Sequence, residues 1–177
     1  EFRSILNTVI QEAESIRVGV VTFEDRGMDD EVEATSTPQN LWELVMVYQE
    51  AKAILYDEDA SWAEKEEAVR ILERLWDEGL TVAAHQLGKC YRDGLGVIPD
   101  EEQAEVWFLL SAEKGNDYSQ CALGKLLQGQ GRITEAVEWY GQASTQGNQY
   151  ADYRLGKLYL VGKGVPKDAA EAVRHLT

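Results

Sequence analysis

The chain has 177 residues, of which 32 are acidic and 17 are basic, so its formal net charge is −15. This balance argues against a nucleic-acid-binding module, because phosphate contacts depend on clustered Lys and Arg. It also argues against binding to anionic membrane surfaces. The 44% of hydrophobic residues is typical of a folded protein, and no apolar run approaches the roughly 18 residues that a membrane span requires.

Residues 1–40 form the first of three predicted regions. Apolar residues recur at helical spacing over residues 1–17, which predicts an amphipathic helix, and residues 18–23 read as an extended stretch. Residues 24–37 are acidic and contain Ser and Thr, which predicts a mobile linker. Acidity is concentrated here, since residues 1–60 hold 14 acidic and 4 basic residues. A chain that begins Glu-Phe-Arg is expected to be a fragment of a longer protein.

Residues 41–79 are predicted to form a degenerate helical hairpin that caps the rest of the chain. Two capping-box signals mark its helices, Asn40 with Glu43 and Ser61 with Glu64. The first helix lacks the Leu-Gly pair that characterises the helices further along.

Residues 80–177 contain a repeat of about 32–36 residues, each unit reading as two helices. Leu-Gly-Lys recurs at residues 87–89, 123–125 and 155–157. Glycine inside a helix costs about 1 kcal/mol relative to alanine, so its recurrence predicts a steric reason. The expected reason is close approach of the second helix of each hairpin through Ala104, Ala136 or Ala172.

Other repeated residues predict how the units begin, end and pack. Asp100 with Gln103 and Asp168 with Glu171 predict two more capping boxes. Trp107 and Trp139 are expected in the core. Glycine is expected to end helices in a left-handed conformation at Gly79, Gly115 and Gly147. Because no single hairpin can bury its apolar faces alone, the units are expected to stack.

The pattern A-x3-LG-x2-Y-x2-G-x-GV-x2-D-x3-A-x2-W-x7-GN resembles the Sel1-like repeat, a relative of the tetratricopeptide repeat. The resemblance implies an all-α fold, a right-handed α/α superhelix of helical hairpins. It also implies a scaffold for protein–protein contacts without catalysis, cofactor or metal. More distantly, the repeated LGKLY is similar to arrays found in relaxases of bacterial mobile elements, which would make this chain an accessory segment of a DNA-mobilisation protein.

By analogy with tetratricopeptide-like arrays, the residue after each packing glycine faces a concave groove. The groove is then expected to bind a protein or peptide, an acidic one being an option that stacked ammonium groups would suit. The alternative is that Lys is simply a good helix former on a solvated face. The candidate partner-binding residues are His85, Lys89, Arg92, Lys125, Tyr153 and Lys157.

A rival hypothesis is a small enzyme that uses a cavity of the helical array. Its candidate cluster is His85, Lys89 and Asp93, which share one helix face. The two cysteines, Cys90 and Cys121, lack metal-ligand spacing and are expected to be free buried thiols. Free thiols are typical of a reducing compartment, which predicts a cytoplasmic location.

Overall fold

The computed structural model describes residues 38–176 of the chain. The predictions for residues 1–37 lie outside the described residues. The described part is all-helical, and its helices are α1 (Pro38–Tyr56), α2 (Trp62–Asp77), α3 (Val82–Asp93), α4 (Glu101–Glu113), α5 (Asp117–Gly129), α6 (Ile133–Thr145), α7 (Gln149–Val161) and α8 (Ala169–Leu176).

Each helix packs against the next one along the chain, which gives four successive hairpins. The buried apolar residues form two clusters, one centred on α1–α3 and one on α4–α7. Successive hairpins are also in contact through a loop. Gly96, in the loop between α3 and α4, has a φ of 72° and lies against the backbone carbonyl of Lys65 near the start of α2. A side chain on Gly96 would meet that backbone, so only glycine fits there. The α/α stacking expected from the repeat is confirmed.

The helix starts follow the capping signals in part. Ser61 and Glu64 make both bonds of a capping box. Asp100 accepts from the backbone of Glu102 and Gln103, but its own N–H donates to the Tyr91 carbonyl at 2.8 Å instead of to the Gln103 side chain. The reciprocal bond of a capping box is therefore replaced by one that ties the loop to α3.

The equivalent loop of the last hairpin behaves in the same way. Asp168 accepts from the backbone of Glu171, and its N–H donates to the carbonyl of Tyr159 at 3.1 Å. The prediction of a capping box is again half right. The predicted cap at Asn40 is wrong, because α1 begins at Pro38, where a residue without an N–H group is tolerated.

Glycine conformations at the helix ends agree with the sequence. The residues that follow α2, α4 and α6 by two positions all have positive φ. The angles are 92° at Gly79, 86° at Gly115 and 83° at Gly147.

The packing glycines lie against large side chains of the second helix, and not against the alanines predicted to touch them. A Cβ atom placed on Gly88 would lie 2.5 Å from the Phe108 ring, and one placed on Gly124 would lie 2.8 Å from the Tyr140 ring. Phe108 and Tyr140 stand one helical turn after the expected alanines, which are themselves fully buried. The predicted close approach is confirmed, but its partner is an aromatic ring at these two positions.

At Gly156 the neighbour is an aliphatic side chain. A Cβ there would lie 2.5 Å from Cγ of Leu176 and 3.2 Å from the carbonyl oxygen of Ala172. The alanine prediction therefore holds in part for the last hairpin, through the backbone.

Phe108 and Tyr140 also take the core position that the sequence had suggested for tryptophan. Both rings are fully buried, whereas Trp107 and Trp139 are only partly buried at the edge of the core. Trp107 instead packs edge-on against Trp76, with ring centroids 6.1 Å apart.

We expect Gly124→Ala to destabilise the protein by about 1–3 kcal/mol, because the added methyl group overpacks a site filled by the buried Tyr140 ring. Gly141→Ala is the matched control. Gly141 also lies inside a helix, but no atom lies within 4 Å of its added Cβ. This control should gain up to about 1 kcal/mol from helix propensity. Urea unfolding measures both, and equal effects of the two substitutions would contradict the packing described here.

Candidate partner-binding site

A cavity of about 270 Å³ opens on the face formed by the first helices of three successive hairpins, α3, α5 and the start of α7. We call this the first-helix face. The residues that line the cavity are His85, Lys89, Arg92, Tyr118, Cys121, Ala122, Lys125, Asn148 and Tyr150.

Four of the six candidate residues from the sequence line this cavity. They are His85, Lys89 and Arg92 of α3 and Lys125 of α5. Tyr153 and Lys157 of α7 do not line it. Lys157 Nζ instead lies 3.2 Å from the hydroxyl of Tyr153 and 5.1 Å from the centroid of its ring.

His85 is held by a hydrogen-bonded chain that runs into the protein. Its Nδ1 lies 2.7 Å from Oγ of Ser119, and the Ser119 hydroxyl in turn lies 2.7 Å from Oγ of Ser111. Burial lowers the pKa of His85 to about 3, and the charges of Lys89 and Arg92 act in the same direction. His85 is therefore neutral at physiological pH, and it adds polarity to the cavity without adding charge.

The three cations of the lining differ in how far they are already satisfied. Arg92 makes a two-bond pair with Asp93, at 2.7 and 2.6 Å. The pairing with Arg92 lowers the pKa of Asp93, and the charges of Lys89 and Lys125 act in the same direction. Lys89 Nζ lies 4.8 Å from the centroid of the Tyr56 ring.

Lys125 makes no hydrogen bond or ion pair with any residue in the described part of the chain, and its side chain is exposed. Its ammonium group is thus available to a ligand. None of the described residues that line the cavity carries a carboxylate, although Asp93, which pairs with Arg92, lies close to all three cations.

Sequence reasoning missed the aromatic rim of the cavity. Tyr118 and Tyr150 are 44% and 45% exposed and occupy the same position in successive repeats. Each stands two residues after an asparagine that caps its helix, Asn116 or Asn148. The recurrence of Asn-x-Tyr was the available signal, and Tyr118 lies one helical turn before Cys121 on the same face of α5.

Both cysteines are free and buried, as the sequence predicted. Burial raises the pKa of Cys121 to about 11 and that of Cys90 to about 12, so neither thiol is activated. Residues 38–176 contain no cluster of His, Cys, Asp and Glu suited to a metal ion. Nor does any helix in that range have the length and apolarity needed to cross a bilayer.

The sequence model of the Sel1 repeat family matches residues 81–116, 117–148 and 149–177, which together make up more than half of the chain. The chain belongs to the Sel1 repeat family. The repeats begin where α3 begins, so the first Sel1 hairpin is α3–α4, and the cavity lies across the first helices of all three Sel1 repeats. Sel1 repeats typically serve as scaffolds for protein–protein interaction.

Two solved structures share this fold. A Sel1 repeat protein from Oxalobacter formigenes is 28% identical, with a TM-score of 0.58 over 77% of this chain and 65% of that one. The protective antigen c5321, present in uropathogenic Escherichia coli strains and displaying an SLR fold, is 25% identical, with a TM-score of 0.66 over 97% of this chain.

This Sel1 chain spans 65% and 40% of the lengths of those two proteins. The all-α superhelix expected from the sequence is confirmed by both likenesses. The suggested resemblance to relaxase-associated arrays finds no support in them.

The pKa of His85 predicts how the stability of the Sel1 array depends on pH. Its folded-state value of about 3 lies below the ordinary value of 6.5. Between these values the unfolded chain binds a proton that the folded chain does not, so this group's favourable contribution is present above pH 6.5 and is lost as pH falls.

We therefore expect the wild type to lose on the order of 2 kcal/mol more stability than His85→Gln between pH 7 and pH 4.5. Urea unfolding at several pH values measures the difference. The carboxylates and His175 are common to both proteins and cancel in the comparison. Parallel pH profiles for the two proteins would show that His85 is not buried in neutral form.

Proposed function

We propose that the chain is a non-catalytic scaffold that binds an acidic segment of a partner protein at the first-helix face. The observation that carries the proposal is the lining of the cavity, whose described residues include three cations and no carboxylate, in a chain of net charge −15. The proposal is in keeping with the typical role of Sel1 repeats.

The donors of the cavity suit carboxylate groups. Lys125 offers an ammonium group that no described residue engages, and Lys89 offers donors that its contact with the Tyr56 ring leaves unused. Hydrogen bonds from ammonium to carboxylate are short and about twice as strong as neutral ones. Arg92 is already paired with Asp93, so we expect it to contribute less to binding of a carboxylate than the two lysines do.

The size and rim of the cavity favour a peptide side chain over a small metabolite. A volume of about 270 Å³ lies below the usual range of ligand pockets, roughly 300–1,000 Å³. Tyr118 and Tyr150 at the rim offer apolar rings beside the cations, which suits the methylene groups of Glu or Asp. A nucleic acid is disfavoured, because the remainder of the chain repels a polyanion.

The geometry around His85 supports a binding role over catalysis. Ser119, the hydroxyl nearest to the imidazole, is fully buried, so it has no access to a substrate. Asp93, the carboxylate of the rival enzyme cluster, pairs with Arg92 and not with His85. Within the described residues, His85, Lys89 and Asp93 make no hydrogen bonds with one another, so this arrangement gives the rival enzyme hypothesis no support.

We expect the double substitution Lys89→Glu and Lys125→Glu to weaken binding of a synthetic hexaglutamate peptide by at least about tenfold. Each charge-assisted hydrogen bond contributes about 1.5 kcal/mol or more, and 1.4 kcal/mol corresponds to tenfold. Isothermal titration calorimetry at low ionic strength measures the dissociation constants. Binding to the wild type should weaken as salt is added, since charges at a surface are screened.

The control changes the net charge equally at a distance from the cavity. Lys114→Glu with Lys163→Glu alters two exposed lysines that do not line it and should leave the affinity within about twofold after correction for net charge. Lys157→Glu alone tests the third lysine that the sequence predicted to face the groove; because Lys157 does not line the cavity, it should also leave the affinity within about twofold. If the cavity variant and the control bind hexaglutamate equally, the cavity is not the binding site.

A further inference from the structure

The chain carries its own acidic segment next to the first helix. Residues 24–33 contain six carboxylates and one guanidinium, which makes this the most acidic stretch of ten residues in its N-terminal region. The cavity of the first-helix face is its electrostatic complement, since the described residues that line it include three cations and no carboxylate. The polypeptide therefore carries a segment with the same acidic chemistry as the ligand proposed for the cavity.

The geometry of α1 places the cavity within reach of this segment. Tyr56, the last residue of α1, lies under the ammonium group of Lys89 and accepts a hydrogen bond from Gln86 of α3 at 3.1 Å. The C-terminal end of α1 therefore adjoins the rim of the cavity. Helix α1 has 19 residues and is about 28 Å long, so its first residue, Pro38, lies about that distance from the rim.

The chain before Pro38 is long enough to span this distance. Asp25 precedes Pro38 by 13 residues, and an extended chain of that length covers about 43–47 Å. Asp29, nine residues before Pro38, can cover about 30–32 Å. Asp25 can thus enter the cavity and Asp29 can reach its rim, whereas Glu31 and Glu33, seven and five residues before Pro38, cover at most about 25 Å and 18 Å and do not reach it.

We propose that the acidic segment enters the cavity of the first-helix face through its distal part, residues 24–29, when no partner is bound, so that the chain carries a tethered competitor for its acidic ligand. The inference rests on the proposed function in one respect, the ability of the cavity to accept carboxylates. A partner then binds by displacing the segment, and its apparent affinity is reduced by the fraction of molecules in which the cavity is filled.

The tether sets the expected size of the effect. Attaching a ligand to its site through a short linker gives an effective concentration on the order of 1 mM. If the segment binds the cavity with a Kd in the same range, it fills about half of the molecules, and removing its charge should tighten the binding of an external acidic peptide about twofold.

Paramagnetic relaxation in the full chain tests the contact directly. A nitroxide attached at Met28→Cys lies within the segment, and the native thiols compete poorly for the label because burial raises the pKa values of Cys90 and Cys121 to about 12 and about 11. We expect loss of the amide signals of α3 and α5 around Lys89 and Lys125, and recovery of those signals when salt is added.

Two charge-neutralised variants, each carrying the same label, provide the matched comparison. The test variant has Asp25→Asn, Asp29→Asn, Asp30→Asn and Glu31→Gln. The control has Glu101→Gln, Glu102→Gln, Glu113→Gln and Glu138→Gln, all at exposed positions that do not line the cavity. The test variant should regain the lost signals and the control should not. If the label leaves the cavity signals unchanged in wild type, or affects them equally in the test variant, the proposal is overturned.

Titration with hexaglutamate separates this inference from the proposed function. Tighter binding to the test variant than to the control supports the tethered competitor. Equal binding to both, with no loss of amide signals, overturns the competitor and leaves the proposed function intact. Absence of hexaglutamate binding to either variant, with amide signals still lost in wild type, counts against an external acidic ligand while the intramolecular contact stands.

Discussion

The contact between the Gly88 backbone and the Phe108 ring determines both how a hairpin packs and what stands behind the cavity. The ring lies where a Cβ of residue 88 would be, so α4 can approach α3 only because that Cβ is absent. On its other sides the same ring lies 5.8 Å from the imidazole of His85 and 5.8 Å from the Arg92 guanidinium carbon. One buried side chain thus supports the core and two residues of the site.

This arrangement explains how cations come together in an acidic protein. Leu87 and Gly88 lie on the buried side of α3. Lys89 follows Gly88 by one residue and is therefore turned about 100° around the helix, whereas His85 and Arg92 lie one turn from Gly88 on its own side, next to the Phe108 ring. Repetition of the hairpin brings the equivalent residues of α5 alongside, and Lys89 and Lys125 share one cavity. A positive site on a negative protein focuses the field toward acidic ligands and speeds their arrival. The cost is mutual repulsion, which the Arg92–Asp93 pair and the neutral His85 reduce.

The repeat made the architecture predictable from the sequence. Recurring Leu-Gly pairs and terminal glycines predict local structure at fixed offsets, and the positive φ angles at Gly79, Gly115 and Gly147 confirm the second of these. The partner of the packing glycines was not predictable in the same way. Alanine and tryptophan recur at fixed positions in the repeat, whereas the residue that covers the glycine is Phe108, Tyr140 or Leu176. The close contact recurs in these hairpins while the residue type varies, so a search for identical letters missed it.

The candidate site was predictable only where it follows the repeat. Lys89 and Lys125 recur one position after the glycine and were found together. Lys157 follows the same rule, but its contact with Tyr153 lies on the adjacent helix outside the cavity. A periodic sequence pattern predicts which face of a helix a residue lies on. Whether that residue lines a cavity depends on how the three helices pack, which only the tertiary structure defines. The neutral state of His85 likewise depends on burial and on neighbouring charges, of which Lys89 lies one turn later in α3 and Lys52 is distant in sequence.

A double-mutant cycle on Gly88 and Phe108 tests the central contact most directly. Gly88→Ala, Phe108→Leu and the double variant are compared with wild type by urea unfolding. If the ring is what excludes a side chain at residue 88, the smaller leucine side chain at position 108 makes room for the methyl group. The double variant should then be more stable than the sum of the single effects predicts, by about 0.5–3 kcal/mol. Strict additivity would contradict the account, because it would mean that Gly88 and Phe108 do not constrain one another.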